Sequence, residues 1–138
     1  MVIEMSGFIY IWFDRKYAES ITLSGQLAIR WMEKKINQFL NEKLETENVD
    51  YVIACDTDSM YINLERYVSK FIQASTDDEV VEQLDQVANE IIEPYIDVCY
   101  AELAHDVNAF QQKMKMKREA IANKGIWTGK KHYILNVF

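Results

Sequence analysis

The sequence predicts an α+β fold in which antiparallel β-hairpins pack against long helices. Three observations predict it. Two long segments carry apolar residues at three- and four-residue steps, the period of a helix with one buried stripe. A short apolar run at residues 51–55 meets a turn-forming cluster and then a second apolar run at 60–64, the pattern of a hairpin. A later stretch, residues 113–122, alternates basic and apolar side chains with period two, the signature of a strand. The chain of 138 residues suffices for a single domain, 1–138, and neither a linker nor an internal repeat divides it.

Phe8, Ile9, Tyr10, Ile11, Trp12 and Phe13 are aromatic or β-branched and predict a first strand. A helix over residues 17–44 follows, with Ala28, Trp31, Met32, Ile36, Phe39, Leu40 and Leu44 on one face. Gly25 inside it costs about 1 kcal/mol against Ala, which points to close packing there. Residues 45–50 form a polar loop, and 51–64 a hairpin with Asp56 and Asp58 at its tip. Residues 65–73 predict a short helix. Thr76 and Glu79 have the spacing of a capping box. A long helix then places Val80, Leu84, Val87, Ile91, Tyr95, Val98 and Leu103 on one side, with Pro94 kinking or splitting it. In the strand at 113–122, Lys113, Lys115 and Lys117 share one face, and Met114, Met116 and Arg118 the other. Asn123, Lys124 and Gly125 supply a turn, and residues 126–137 the partner strand.

Composition excludes several classes. Apolar residues make up 49% and charged residues 27%, which excludes a disordered tail or low-complexity linker. No apolar run reaches the ~18 residues of a membrane span, and no signal peptide is visible, so no membrane partner and no secretion are expected. Cys55 and Cys99 have neither disulfide-framework nor zinc spacing and fit a reducing compartment. The net charge of −7 conceals an asymmetry: residues 113–138 carry seven basic residues and one acid, Glu119, for +6, which leaves −13 on the rest. A basic end of this kind suits a polyanion, or is a solvated hairpin with no ligand.

Asp56 and Asp58 flank one residue at a tight turn between apolar strands. Both can approach one hard cation such as Mg²⁺, and a cation offsets the cost of holding two acids together. An EF-hand loop fails, because Tyr61 stands where its Gly is required and Tyr67 where its Glu is required. An aspartyl-phosphate phosphatase shares the Asp-x-Asp pattern after an apolar strand but is not followed at once by a second strand. An ordinary turn, with Asp and Ser bonding backbone groups, stays open beside metal-dependent phosphoryl chemistry.

Residues 54–61, Ala54 to Tyr61, resemble motif C of family B DNA polymerases, commonly Tyr-Gly-Asp-Thr-Asp-Ser. Gly129, Lys130, Lys131, His132 and Tyr133 resemble the family's Lys-Lys-x-Tyr motif. Residues 18–44, 93–97, 118–121 and 127–137 are similar to segments of the T-even-type phage polymerases, in the same order, so the resemblance runs from about Phe8 to Phe138. Cys55 replaces the usual Gly, and His132 a more usual Arg or Lys.

The resemblance implies the motif C half of a polymerase palm. It assigns Asp58 as the principal catalytic metal ligand, Asp56 as its less central neighbour and Glu119 as an acid near the site. It assigns Lys130, Lys131 and Tyr133 to the primer-strand backbone. Two Mg²⁺ ions and primer–template DNA are the implied cofactor and substrate, and the cytoplasm of a bacterial host the implied compartment. Motif A, the nucleotide-binding lysine helix, thumb and exonuclease are not recognisable, so the chain is expected to be either one piece of a split polymerase or an excised fragment, with a complementary polymerase chain as partner and no activity alone. Apolar area left by those missing parts implies a homo-oligomer or a partner-dependent chain. A non-catalytic palm remnant that binds DNA or protein is the alternative.

Overall fold

The computed structural model describes residues 1–6, 15–56, 58–112 and 114–138. The strand expected at residues 8–13 lies outside the described residues, as do Thr57 and Lys113. In chain order the elements are β1 (Val2–Ser6), α1 (Arg15–Leu44), β2 (Val52–Cys55), β3 (Ser59–Ile62), α2 (Glu65–Phe71), α3 (Asp77–Val87), a π-helical turn (Ala88–Ile92), α4 (Glu93–Asp106), β4 (Lys115–Ala120), β5 (Ala122–Gly129) and β6 (His132–Val137). This mixture of helices and antiparallel strands is the expected α+β class. Among the described residues, four strands form one antiparallel sheet in the order β2-β3-β1-β4, and β5 and β6 form a separate hairpin. No described helix is long and apolar enough to cross a membrane.

The core lies between one face of the sheet and helices α1 and α4. Helix α1 has 30 residues, about 45 Å at 1.5 Å per residue. It buries Ala28, Ile29, Met32, Ile36, Leu40 and Leu44, essentially the stripe that its periodicity marks. Trp31 and Phe39 flank that stripe: the Trp31 indole N–H donates to the Cys99 carbonyl at 3.1 Å, and Phe39 stacks on Tyr95 with centroids 4.6 Å apart. Gly25 is buried, as its cost inside a helix suggests. Met60 and Met116 enter the same core from the sheet.

The second helical stripe needs correction. Its buried residues are Leu84, Ala88, Ile92, Ile96, Cys99, Tyr100 and Leu103, whereas Ile91 and Val98 are exposed. The reason is the π-helical turn just before Pro94. There the Glu93 N–H bonds to the Ala88 carbonyl, five residues back, so the wider turn advances the buried face by one residue. Pro94 then begins α4, where its missing N–H costs little. The helical run is not split in two: it continues unbroken from Asp77 to Asp106, and the wider turn shifts the buried face from Ile91 and Val98 to Ile92, Ile96 and Cys99, with Leu103 buried as expected. The Thr76 hydroxyl caps α3 by accepting the Glu79 N–H at 3.4 Å, and the Glu79 carboxylate accepts the Ser75 N–H at 2.8 Å.

The C-terminal strands also differ from expectation. Residues 123–125 are not a turn but lie inside β5, and the partner of β4 is β1, not the chain that follows it. The reversal falls instead at Lys130 and Lys131, between the paired Gly129 and His132. Gly125 serves packing: a Cβ there would lie 2.6 Å from the Trp127 ring and 2.8 Å from Leu135. In β4 the alternation holds where described, with Lys115 and Lys117 exposed and Met116 buried. Arg118 points to the helices, ion-paired with Asp85, and its N–H donates to Glu93 at 3.1 Å.

Candidate metal and nucleic-acid site

The acidic hairpin is built by local chemistry. Strand β2 is fixed at its entry by Asn37 of α1, whose Oδ1 accepts the N–H groups of Tyr51 and Val52 at 2.8 and 3.1 Å. One turn along, Asn41 Oδ1 accepts the Val49 N–H at 3.1 Å and its amide donates to the Val49 carbonyl at 2.9 Å. Two asparagines spaced by four thus staple the incoming loop to the helix. Strand β2 pairs with β3 through Cys55 and Met60, and the Asp56 N–H donates to the Ser59 carbonyl at 2.9 Å, which closes the tip. Asp58 is exposed there and Asp56 is half-buried. The whole of β3 is buried, including Ser59.

Alternation along β3 sends Met60 to the helices and Tyr61 to the opposite face of the sheet. On that face the β5–β6 hairpin docks. The Tyr61 ring meets Trp127 edge-on at 5.5 Å and Tyr133 at 5.1 Å. Burial, then a hydrogen bond to Tyr133, pushes the Tyr61 phenol up to about 12, so it stays a neutral partner. The same docking carries the turn of the basic hairpin to the acidic tip: Lys131 Nζ lies 3.9 Å from Asp56 Oδ1. Lys131 itself has φ 63, in the left-handed region.

Of the residues that the sequence marks, the structure brings Lys131 to Asp56 and packs Tyr133 on Tyr61 of the same hairpin, with Asp58 exposed at that hairpin's tip and Lys130 beside Lys131 in the turn. Glu119 stands apart on the exposed face of β4, and β1 lies between β4 and β3. Sequence reading missed Tyr61 and Trp127, the rings that join the hairpins, and Asn37, which anchors β2. A polar residue one step from the buried Ile36 was the available signal for Asn37.

Asp56 and Asp58 are hard oxygen donors, and Mg²⁺ usually takes one or two protein carboxylates with phosphate oxygens and water. The pair therefore fits part of a Mg²⁺ site. Among the described residues no group of three or more His, Cys, Asp or Glu converges to hold a metal. Partial burial, then the nearby Glu33 carboxylate, pushes the Cys55 thiol up to about 12, which leaves it neutral and a poor nucleophile beside the acids. The arrangement suits charge stabilisation by carboxylate-held cations next to an ammonium-bearing turn.

The chain is similar to a segment of T4-like phage DNA-directed DNA polymerases. It is 40% identical over 141 residues to the DNA-directed DNA polymerase of Escherichia phage RB69, which covers 93% of this chain and 16% of that polymerase. It is 36% identical over 137 residues to the DNA-directed DNA polymerase of Enterobacteria phage T4, covering 92% of the chain and 15% of the relative. The chain thus spans about one sixth of the length of these polymerases. No protein-family model matches it.

Proposed function

We propose that the chain is the motif C part of a family B polymerase palm, acting in template-directed nucleotidyl transfer with a complementary polymerase chain. The observation that carries this reading is the meeting of Asp56 with Lys131, which joins the two motifs that the sequence holds far apart. Asp58 and Asp56 would hold Mg²⁺, which would supply charge stabilisation to the displacement at phosphorus. The buried strand β3 and the Asp56 N–H bond to the Ser59 carbonyl would hold the tip in shape before substrate arrives, which limits reorganisation. Lys130 and Lys131, at the opposite turn, and the Tyr133 hydroxyl would hold primer-strand phosphates, contacts that position DNA without reading its sequence. Glu119, on β4 with β1 between it and β3, would act as a more distant acid. Nothing in these roles demands a side-chain nucleophile, because phosphoryl transfer needs mainly positioning and charge stabilisation.

Two acids are too few to hold two ions, so a further carboxylate and a nucleotide-binding helix would come from other parts of the polymerase. The site of action is the host cell in which a phage polymerase copies DNA. The test is primer extension with Mg²⁺. Purified chain alone is expected to extend nothing, and co-purified chain plus a polymerase piece bearing motif A is expected to extend a primer. Extension by the chain alone, or none by a stably formed complex, overturns the reading. The second outcome would favour a non-catalytic binding remnant.

A further inference from the structure

The contact between Lys131 and Asp56 has an unusual backbone behind it. Lys131 occupies a two-residue turn at φ 63, a conformation in which side chains other than Gly or Asn are uncommon. Such a residue persists when its surroundings require it and marks a candidate functional position. What the conformation accompanies is reach: the ammonium stands 3.9 Å from Asp56 Oδ1. The pair straddles the surface, with the Lys131 side chain 65% exposed and that of Asp56 24%. The cation can therefore swing into solvent while the carboxylate stays in place.

We propose that Lys131 is an internal counter-ion of Asp56, which a divalent cation displaces, so that metal binding at the acidic tip and release of the Lys131 ammonium toward a DNA phosphate are one coupled step. This deepens, and rests on, the reading of Asp56 and Asp58 as metal ligands. Two carboxylates and one ammonium leave the tip with a net negative charge. A divalent cation there reverses the sign and repels the ammonium, whose next anion is a phosphate. Coupling of this kind is reciprocal: a phosphate that takes Lys131 raises the affinity for metal by the same factor that metal raises the affinity for phosphate. An exposed pair is weak, so the factor is small, roughly threefold.

The probe is Mn²⁺ as a paramagnetic stand-in for Mg²⁺, titrated into the ¹⁵N-labelled 138-residue chain at fixed ionic strength. Broadening of the Asp56, Asp58 and Ser59 amides reports binding at the tip. Lys131→Met keeps the length and the backbone demand of the lysine and removes its charge. Lys124→Met, on β5, makes the same change in net charge away from the tip. The expected result is a dissociation constant roughly threefold lower in Lys131→Met and unchanged in Lys124→Met. Equal constants in wild type and Lys131→Met overturn the coupling while the metal site stands. Equal falls in both variants assign the effect to overall charge and overturn it too. No broadening at the tip in any of the three proteins overturns both the coupling and the metal reading.

Discussion

Tyr61 of the acidic hairpin meets Tyr133 of the basic one edge-on, with ring centroids 5.1 Å apart and planes at 63°. This contact, with Trp127 on the same ring, fastens one motif to the other. Everything proposed for the site depends on it, because neither hairpin alone brings an acid and an ammonium together.

The first prediction follows directly. Tyr61→Ala is expected to cost about 3–5 kcal/mol of stability, the range for deleting a buried aromatic ring. Tyr61→Phe keeps the ring contacts and loses the hydroxyl bonds, so it is expected to cost only about 1 kcal/mol. Denaturant titrations of the two variants check this. Equal small losses would mean that the hairpin docks by some other surface.

How much of this was legible beforehand divides along physical lines. Local patterns were readable: the α1 stripe, the hairpin at 51–64, the Thr76 cap and the alternation in β4 all follow from side-chain period or capping chemistry. Phase was lost at the π-helical turn, because no residue between Ala88 and Ile92 announces an extra step, and Ile91 and Val98 were misplaced onto the buried face. Gly125 misled because glycine serves both turns and close packing, and here it makes room for Trp127. The true turn at Lys130 and Lys131 contains no Gly, Asn or Asp to mark it. Strand β1 was missed because Val2–Ser6 is short and the aromatic run after it is a stronger strand signal. The candidate acids and lysines were legible as motifs, but their meeting was not, since long-range packing leaves no local trace.

Gly125→Ala tests the packing role. The new methyl would stand 2.6 Å from the Trp127 ring and 2.8 Å from Leu135, so a loss of about 1–3 kcal/mol is expected from overpacking. Removing the ring that crowds it should relieve that part of the strain, so Gly125→Ala is expected to cost less in a Trp127→Leu background. Thermal unfolding of the four proteins measures the non-additivity. Strict additivity would place the ring elsewhere.

Ionisation of Tyr61 gives a pH prediction. Burial and the Tyr133 hydrogen bond raise its phenol to about 12 in the folded chain from 10.0 unfolded. A raised value means that the contribution to stability is complete below the unfolded value and is lost as pH climbs through the folded one. Docking of the β5–β6 hairpin should therefore hold to about pH 10 and weaken between there and 12. Tyr133→Phe removes the second cause and should move the Tyr61 transition lower. Phenol ring carbons followed by NMR through the alkaline range report it, and a transition unmoved in Tyr133→Phe would show that burial acts alone.

Salt dependence tests the basic turn. In the reconstituted polymerase, replacing Lys130 and Lys131 by Ala should reduce the slope of log K against log salt by about 1.8, at ~0.9 per phosphate contact. Little change in sequence preference is expected, because lysine meets phosphate as a point charge. Fluorescence anisotropy of a labelled primer–template across a salt series measures both. An unchanged slope would mean that both lysines are merely solvated.

The two aspartates are expected to part company when each is replaced. Asp58 is exposed at the tip, so Asp58→Ala should leave stability within about 0.5 kcal/mol of wild type. Asp56 is paired with the exposed Lys131, and breaking such a pair costs at most about 1 kcal/mol. Neither change is large enough to unfold the chain, so losses of activity report chemistry. With the complementary chain present, Asp58→Ala is expected to remove the principal ligand of the proposed ions and to cost several kcal/mol of barrier, on the order of a thousandfold in single-turnover extension rate. Asp56→Ala should cost less, because a weaker ligand is lost and Lys131 is left free to turn to phosphate. Rapid-quench extension at saturating Mg²⁺, alongside denaturant titration of each variant, separates rate from stability. Near-wild-type rates for both would return Asp56 and Asp58 to the role of ordinary turn residues.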